Sequence, residues 1–316
     1  MNKIILFLFV STSLFVKSQY APGVGVNGSQ AIYKDSSVFK CWANTCTIKL
    51  GWLDVANKNL GKPSVGDAQS VLGKAGTNGV LSLGDAGEAI VTFDYPISNG
   101  NGPDFAVFEN GFNNSFLELA FVEVSSDGIH FVRFPSVSLL DTLVQLDNNA
   151  AMDPTKLNNL AGKYKVNYGT PFDLDELKDS VGLNTRAITH VKIVDIVGSI
   201  NPMFGSRDSK NNLINDPYPT PYPSAGFDLD AVGVIHSESL GLEEATLQFS
   251  ISPNPSSGVF YVNAPCENRV EVYTIKGENV FQQNFIDSTN VDLTTFPKGM
   301  YFVVLNGVGR KFLLED

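Results

Sequence analysis

Carboxylates are the side chains of this sequence whose types and spacing could do chemistry. Asp228 and Asp230 alternate within the apolar run 227–235, so period-two geometry puts both on one strand face, about 7 Å apart. Two like charges at that separation are stable only when they are solvated, protonated or bridged by a cation. Further carboxylates lie in apolar or Asn-rich segments, at Glu109, Asp195, Asp208 and Asp216.

Calcium is the cation that such an oxygen-rich set would bind, because Ca²⁺ takes six to eight oxygen ligands from carboxylates, amides and carbonyls. We therefore predict a structural calcium site from these six residues. The alternative is that Asp228 and Asp230 cap backbone amides at a strand entrance or stay solvated. A third reading is glycoside hydrolysis, in which two carboxylates about 5 to 9 Å apart flank the scissile bond.

Other catalytic chemistry has little support in the sequence. His130, His190 and His236 lie in or at the end of predicted strands, and no pair of them has the spacing of a zinc site. The sequence also lacks a Gly-x-Ser-x-Gly nucleophile elbow. We therefore predict no catalytic residues and expect a protein that is not an enzyme.

Two tyrosines are candidate ligand-binding residues. Tyr218 and Tyr222 lie in the run Pro-Tyr-Pro-Thr-Pro-Tyr-Pro at 217–223, which is stiff and extended. Aromatic rings displayed on such a loop can stack on sugars or other flat apolar ligands. The alternative, which we favour for this loop, is that the rings pack back onto the domain.

The elements that must position these side chains are strands. The run 88–93 alternates apolar and polar residues, and runs 117–125 and 129–134 flank Ser126-Asp127-Gly128, a three-residue hairpin signal. Runs 188–197 and 227–235 are the strongest later strands. Many strands with few helices predict an all-β, antiparallel β-sandwich or jelly roll with loop-rich insertions.

Length and charge limit the function classes. The chain has 316 residues, 43% of them hydrophobic, with 22 Lys and Arg against 33 Asp and Glu. This length allows roughly two domains. A net charge of −11 argues against sequence-independent nucleic-acid binding, which needs clustered cations against phosphate.

The first residues have the parts of a secretory signal. Lys3 precedes the mostly apolar run 4–16, and cleavage after Ser18 fits the small-residue rule. The run is shorter than the roughly 20 apolar residues of a membrane span, and no other segment is long enough. We predict a signal peptide at 1–18, Sec export through the periplasm and no transmembrane segment in the mature chain. In an exported protein, Cys41 and Cys46 favour a local disulfide, with free thiols as the alternative.

The last segment resembles a known export signal. Its turn and strand motifs occur in the order Pro253-Asn254-Pro255, Gly258, Phe260, Ile275, Gly277, Gly299, Tyr301 and Lys311. They are similar to the type A C-terminal sorting domain of the Bacteroidetes type IX secretion system. The resemblance implies a small immunoglobulin-like β-sandwich at 246–316 after a polar linker at 237–245. It also implies the type IX machinery as partner and a secreted or outer-surface location.

The middle segment, 19–236, carries a second resemblance. Its motifs are PDFAVFENGF at 103–112, FVEVSSDG at 121–128 and GFDLDAV at 226–232. Together they are similar to a widespread, poorly characterised family of bacterial cell-surface proteins, and the hairpin and Asp-x-Asp strand resemble galactose-binding-like jelly rolls. That resemblance implies a surface module, with structural Ca²⁺ at the sandwich edge.

These observations favour one function over two alternatives. We expect an exported, non-enzymatic binding protein that captures a glycan, a small nutrient or another extracellular ligand. The alternatives are a secreted glycan-active hydrolase using paired carboxylates, and a surface accessory of an outer-membrane nutrient transporter.

Overall fold

The computed structural model describes residues 20–237 and 249–316. The predicted signal peptide at 1–18 and most of the predicted linker, 238–245, lie outside these residues. Helical structure in the two described ranges consists of four single 3-10 turns, at Lys58–Leu60, Ala68–Val71, Pro154–Lys156 and Leu174–Leu177. The predicted all-β class is confirmed.

Most strands of the first range are short, because Gly, Pro, Asn and Asp interrupt the alternating runs. They are β1 (Ile32–Tyr33), β2 (Cys41–Trp42), β3 (Thr45–Lys49), β4 (Leu81–Ser82), β5 (Glu88–Ile97), β6 (Phe105–Glu109), β7 (Ala120–Ser125), β8 (Val132–Arg133), β9 (Val137–Ser138), β10 (Leu157–Asn158), β11 (Tyr168–Phe172), β12 (Ile188–Asp195) and β13 (Asp228–Val234). The second range holds β14 (Ser250–Ser252), β15 (Val259–Thr274), β16 (Asn279–Asp292), β17 (Gly299–Leu305) and β18 (Val308–Leu314).

Two antiparallel sheets form a sandwich in the first range. One has the order β1-β11-β6-β13-β2, with β4 also paired to β13, and the other has the order β3-β5-β12-β7-β8. The chain crosses from one sheet to the other between β5, β6 and β7, and again between β11, β12 and β13. One buried cluster joins the sheets, and it includes Phe105, Val107 and Val232 from the first and Val91, Val122 and Val191 from the second. Burying each such side chain contributes about 1.5 to 3 kcal/mol, so this core holds the sheets face to face.

Several strands end or begin together at one end of the sandwich. In the second sheet Asp195, the last residue of β12, pairs with Ala120 at the start of β7. In the first sheet Glu109, the last residue of β6, pairs with Leu229 near the start of β13. We call this end the acidic end, because it carries the carboxylates of Glu109, Asp195 and Asp228.

A second, smaller β-structure follows in residues 249–316. Its sheet has the order β14-β15-β17-β18, and β16 pairs with β15. Alternate residues of these strands point into a core of their own, which includes Phe260, Val262, Val272, Tyr301 and Phe312. This segment therefore has the independent hydrophobic core that a domain requires.

The outer edge of β18 is covered by the segment that precedes β15. The Asn254 side chain accepts from the Leu313 N–H at 3.0 Å and donates to the Lys311 carbonyl at 3.0 Å. The Ser256 N–H donates to the Leu313 carbonyl at 3.0 Å, and the Ser256 carbonyl accepts from the Glu315 N–H at 2.9 Å. The Pro-Asn-Pro motif thus satisfies backbone groups that an open strand edge would leave unpaired.

Candidate functional site

Six carboxylates gather at the acidic end of the sandwich. They come from the turn before β5, the end of β6, the segment just before β7, the end of β12, the long 196–227 loop and the start of β13. Strand order explains the gathering, because antiparallel neighbours bring these termini to the same edge of the two sheets. The six are Asp85, Glu109, Glu118, Asp195, Asp216 and Asp228.

Asp195 joins the two sheets. Its Oδ1 accepts from the Phe227 N–H at 2.7 Å, and its Oδ2 accepts from the Ala86 N–H at 3.0 Å. Gly226 makes this approach possible, because a Cβ there would lie 2.6 Å from Asp195 Oδ1 and its φ is +72°. Burial raises the pKa of Asp195 well above its usual value, and Asp85 adds to the rise. Both carboxylate oxygens are therefore already used to fix the backbone.

Glu109 and Asp216 each have one buried oxygen without a partner. The Oε2 of Glu109 accepts from the Gly111 N–H at 2.7 Å, whereas Oε1 has no hydrogen bond. The Oδ2 of Asp216 accepts from the Leu119 N–H at 3.2 Å, whereas Oδ1 has none. The two residues are only 1% and 5% exposed. A buried polar atom without a partner is costly, so these two oxygens require an explanation.

The three remaining members, Asp85, Glu118 and Asp228, are also carboxylates whose pKa values are raised by burial. Burial raises the pKa of Asp228 to about 6, although the Ser82 hydroxyl donates to its Oδ1. Burial likewise raises the pKa of Asp85 to about 6, although its Oδ2 accepts from the Val55 N–H at 2.7 Å. Glu118 is partly buried, and burial followed by the nearby Glu109 raises its pKa well above the usual value.

The carboxylates of the cluster form no ion pair with a cationic side chain of the described residues. Burial also raises the pKa of Glu109 and of Asp216 well above the usual range, and Asp228 and Glu118 respectively add to these shifts. None of the ion pairs formed within the described ranges involves a member of the cluster. Buried anions without cations are expensive, and cation binding would relieve that cost.

The structure brings together only part of the predicted calcium set. Glu109, Asp195, Asp216 and Asp228 join the cluster, but Asp208 and Asp230 are used elsewhere. Asp208 accepts from the backbone N–H groups of Ser138, Lys210 and Asn212 at 2.9 to 3.1 Å. Burial alone would raise the pKa of Asp208, but these hydrogen bonds give a net lowering. Asp208 therefore organises its own loop.

Asp230 occupies an irregular position in β13. The register against β6 shifts between Leu229 and Ala231, so Asp230 has no partner on that strand. Both of its oxygens accept from the Gly76 N–H, at 2.8 and 2.9 Å. Capping of a backbone amide, the alternative that the sequence left open, is what the structure has at Asp230.

Two members of the cluster were not among the predicted ligands. Asp85 lies in the turn Gly84-Asp85-Ala86-Gly87, and Glu118 alternates with Leu117 and Leu119. A carboxylate at an apolar alternating position is the signal that could have identified Glu118. Nothing in the local sequence distinguishes Asp85 from an ordinary turn residue.

The two candidate tyrosines have different environments. Tyr218 is partly buried, and its hydroxyl donates to Asp54 Oδ1 at 2.7 Å. Tyr222 is 51% exposed, and its hydroxyl accepts from Asn148 Nδ2 at 2.8 Å. Tyr218 thus packs against the domain, whereas Tyr222 displays its ring at the surface.

The predicted Cys41–Cys46 disulfide is not present, because both side chains are free thiols. The chain crosses from one sheet to the other between these residues, so that Cys41 lies on β2 and Cys46 on β3. Both pack in the sandwich core, where burial raises the pKa of Cys46 to about 11. Such a thiol is unreactive at neutral pH.

Within 20–237 and 249–316, no three His, Cys, Asp or Glu side chains are grouped closely enough to hold a metal ion by themselves. In the same residues, no helix has the length and hydropathy to cross a membrane.

Comparisons with known proteins identify the C-terminal part. Residues 250–313 match the family described as the secretion system C-terminal sorting domain. No curated protein matches the chain. Among solved structures, a β-glucuronidase from Ruminococcus gnavus is 9% identical with a TM-score of 0.24, covering 90% of this chain and 48% of that one. The BSP domain of a biofilm-associated protein is 9% identical with a TM-score of 0.21, covering 73% and 48%.

These solved structures are too dissimilar to indicate the function of this chain, because their TM-scores are low and the chain spans about half their length. The sorting-domain match is specific, and it covers β14 to β17 and most of β18. Residues 250–313 are therefore a type IX secretion sorting domain, and the protein is exported by that system to the cell surface or the medium.

Proposed function

We propose that residues 20–237 are a non-enzymatic binding module that captures a glycan or a similar extracellular ligand at the acidic end. The observation that carries this proposal is the position of exposed aromatic rings. Phe112, 77% exposed, lies in the loop between Glu109 and Glu118, and Tyr222 lies in the loop between Asp216 and Asp228. The loops that carry these rings are thus anchored at both ends by cluster carboxylates.

Exposed rings on anchored loops suit a flat apolar ligand such as the face of a sugar. Phe112 also contacts Phe116, with ring centroids 5.7 Å apart, which extends the aromatic surface of that loop. The ligand's size and stereochemistry would be set by both loops together. Their fixed ends limit the conformational entropy lost on binding.

Burial argues for binding over hydrolysis. A glycosidase needs two carboxyl groups that reach the glycosidic oxygen and the anomeric carbon. Glu109, Asp216 and Asp228 are only 1%, 5% and 7% exposed, so a substrate cannot contact them without loop rearrangement. The raised pKa values of these groups follow from the same burial and do not require a catalytic role.

Calcium forms the second part of the proposal. A cation would give the orphaned oxygens of Glu109 and Asp216 a partner, and both are hard oxygen ligands of the kind that Ca²⁺ prefers. Within the described residues no three acidic side chains are grouped closely enough to hold an ion by themselves, so the ion would complete its coordination with backbone carbonyls and water. Its role would be structural, since it would neutralise the cluster and hold the two loops that carry Phe112 and Tyr222.

A binding screen tests the ligand proposal. The full chain is tested against an array of glycans and small nutrients, and the best ligand is titrated by calorimetry. Phe112→Ala and Tyr222→Ala are each expected to weaken binding about tenfold or more, as hot-spot aromatic residues do. Val181→Ala is the matched control, since Val181 is 99% exposed and precedes β12, at the opposite end. Equal affinity of all three variants and the unaltered protein would reject the acidic end as the binding site.

A further inference from the structure

An apolar face lies on the outside of the sorting domain. We propose that this face is the surface that the type IX machinery recognises, and that the partner presents an apolar segment with an adjacent carboxylate. The apolar face consists of Tyr273, Ile275, Met300, Phe302 and Leu313, from β15, β17 and β18 and the turn after β15.

Strand alternation determines which side chains form the face. Tyr301, Val303 and Leu305 point into the core, so Met300 and Phe302 point outward. Met300 pairs with Leu313 on β18. On the other side of β17, Phe302 pairs with Tyr273 on β15.

Register places the remaining member in the same row. Thr274, the last residue of β15, pairs with Tyr301, and Ile275 follows it in the turn, next to the end of β17 that carries Met300. The row Leu313, Met300 and Ile275 therefore crosses three chain segments next to the row that contains Phe302 and Tyr273. Neighbouring side chains on one sheet face lie about 5 Å apart, so these residues form one continuous surface.

Exposure shows that nothing in the described residues covers this surface. Ile275 is 70% exposed, Met300 46%, Leu313 38% and Phe302 36%. Single exposed apolar residues are normal, but a contiguous group on one sheet face marks an interaction site.

Charge indicates the partner's chemistry. Lys311 pairs with Phe302 across β17 and β18, and Lys276 directly follows Ile275. Both lysines are exposed, and neither forms an ion pair with any residue of the described ranges. Two unpaired cations beside an apolar face complement a partner that combines apolar and acidic side chains. The domain's match to a secretion sorting family supplies the class of partner.

An export assay tests this inference. The full chain and the variants Ile275→Asp and Met300→Asp are expressed in a bacterium that has a type IX system. The control is Ile286→Asp, since Ile286 is 62% exposed on β16, on another part of the same domain. Immunoblots compare the protein in the periplasm with that on the surface and in the medium. We expect about a tenfold loss of export for the two face variants and no change for the control.

Folding is measured separately so that a misfolded variant does not decide the result. Thermal unfolding of each purified variant is compared with that of the unaltered chain. If Met300→Asp lowers the midpoint, the test rests on Ile275→Asp, because Ile275 lies in a turn and is largely exposed. Normal export of folded Ile275→Asp would overturn the proposal. It would also be overturned if the unaltered chain were a dimer that Ile275→Asp converts to a fully exported monomer, since the occupant would then be a second copy.

Discussion

Removal of calcium should destabilise the sandwich, because the buried carboxylates of the acidic cluster would lose the cation that neutralises them. The perturbation is addition of a chelator at pH 7 to the full chain. A ligand that binds only the folded state at 100 times its dissociation constant contributes about 2.7 kcal/mol. For a domain of 150 to 250 residues, 1 kcal/mol shifts the unfolding midpoint by about 2 to 4 °C. We therefore expect the midpoint to fall by about 5 to 10 °C, measured by differential scanning calorimetry.

Neutral replacements of Glu109 and Asp216, the two residues with an orphaned oxygen, should have opposite effects with and without calcium. They should raise the unfolding midpoint in chelator and reduce the rise in midpoint that calcium causes. In chelator at pH 7, Glu109→Gln and Asp216→Asn remove the cost of burying or protonating a carboxylate whose pKa burial has raised, so each should raise the midpoint. In calcium, the same variants lack a ligand, so the gain in midpoint on adding calcium should shrink. Asp179→Asn is the control, since Asp179 is exposed and lies outside the cluster.

One pattern of results would refute the calcium reasoning. It is an equal midpoint in calcium and in chelator, together with a lower midpoint for Glu109→Gln in chelator. That result would mean that the unaltered cluster is stable by protonation and internal hydrogen bonding, with no need for a cation. A stabilising effect of magnesium equal to that of calcium would show a general electrostatic effect instead of a defined site.

Three further predictions concern pH and hydrogen bonding. In chelator, the contribution of Asp85 and Asp228 to stability should be fully present below about pH 4 and be lost as pH rises through 6, because burial raises their pKa values from 3.8 to about 6. Each shift corresponds to about 3 kcal/mol. In urea titrations, Asp85→Asn and Asp228→Asn should remove this loss between pH 4 and 6, and an unchanged loss in both variants would contradict the prediction. Asp195→Ala leaves the buried Phe227 N–H and the partly buried Ala86 N–H without their acceptor, so it should cost about 1.5 to 4 kcal/mol in chemical unfolding. A loss under 1 kcal/mol would mean that water replaces the carboxylate. Asn254→Ala should lower the stability of the sorting domain by about 1 to 2 kcal/mol and speed proteolysis near Leu313, whereas unchanged cleavage would show that the Ser256 hydrogen bonds suffice.

Strand patterns predicted much of the fold. Residues 88–93, 188–197 and 227–235 were predicted as strands, and β5, β12 and β13 occupy these positions within a few residues. These runs have apolar residues at alternate positions, the sequence pattern of a strand that buries one face in a sheet. In the C-terminal part, β16 was missed because Asn279–Asp292 is rich in Gln, Asn and Asp. It forms because β15 supplies a long partner, and cross-strand pairing outweighs weak local propensity.

The acidic site could be predicted only in part. Glu109, Asp216 and Asp228 were identified from carboxylates in apolar or Asn-rich segments, but their meeting depends on how two sheets align. The roles of Asp195 and Asp230 depend on which backbone N–H groups approach them. Such contacts join residues far apart in sequence, and a one-residue shift at the β13 irregularity changes them. Local spacing therefore predicted which residue types would matter, and not their partners.

The hydrogen bonds between Asn254 and the last strand determine when, during synthesis, the sorting domain can finish folding. The segment at 254–256 emerges from the ribosome first but has no backbone partners until residues 311–315 have been made. Contacts of such long sequence separation form late. A chain that ends before Lys311 would lack both the strand and its cover, and it would expose unpaired strand edges. Closure of the sorting domain therefore requires residues 311–315, and the β14–β15 connection stays without its backbone partners until they are made.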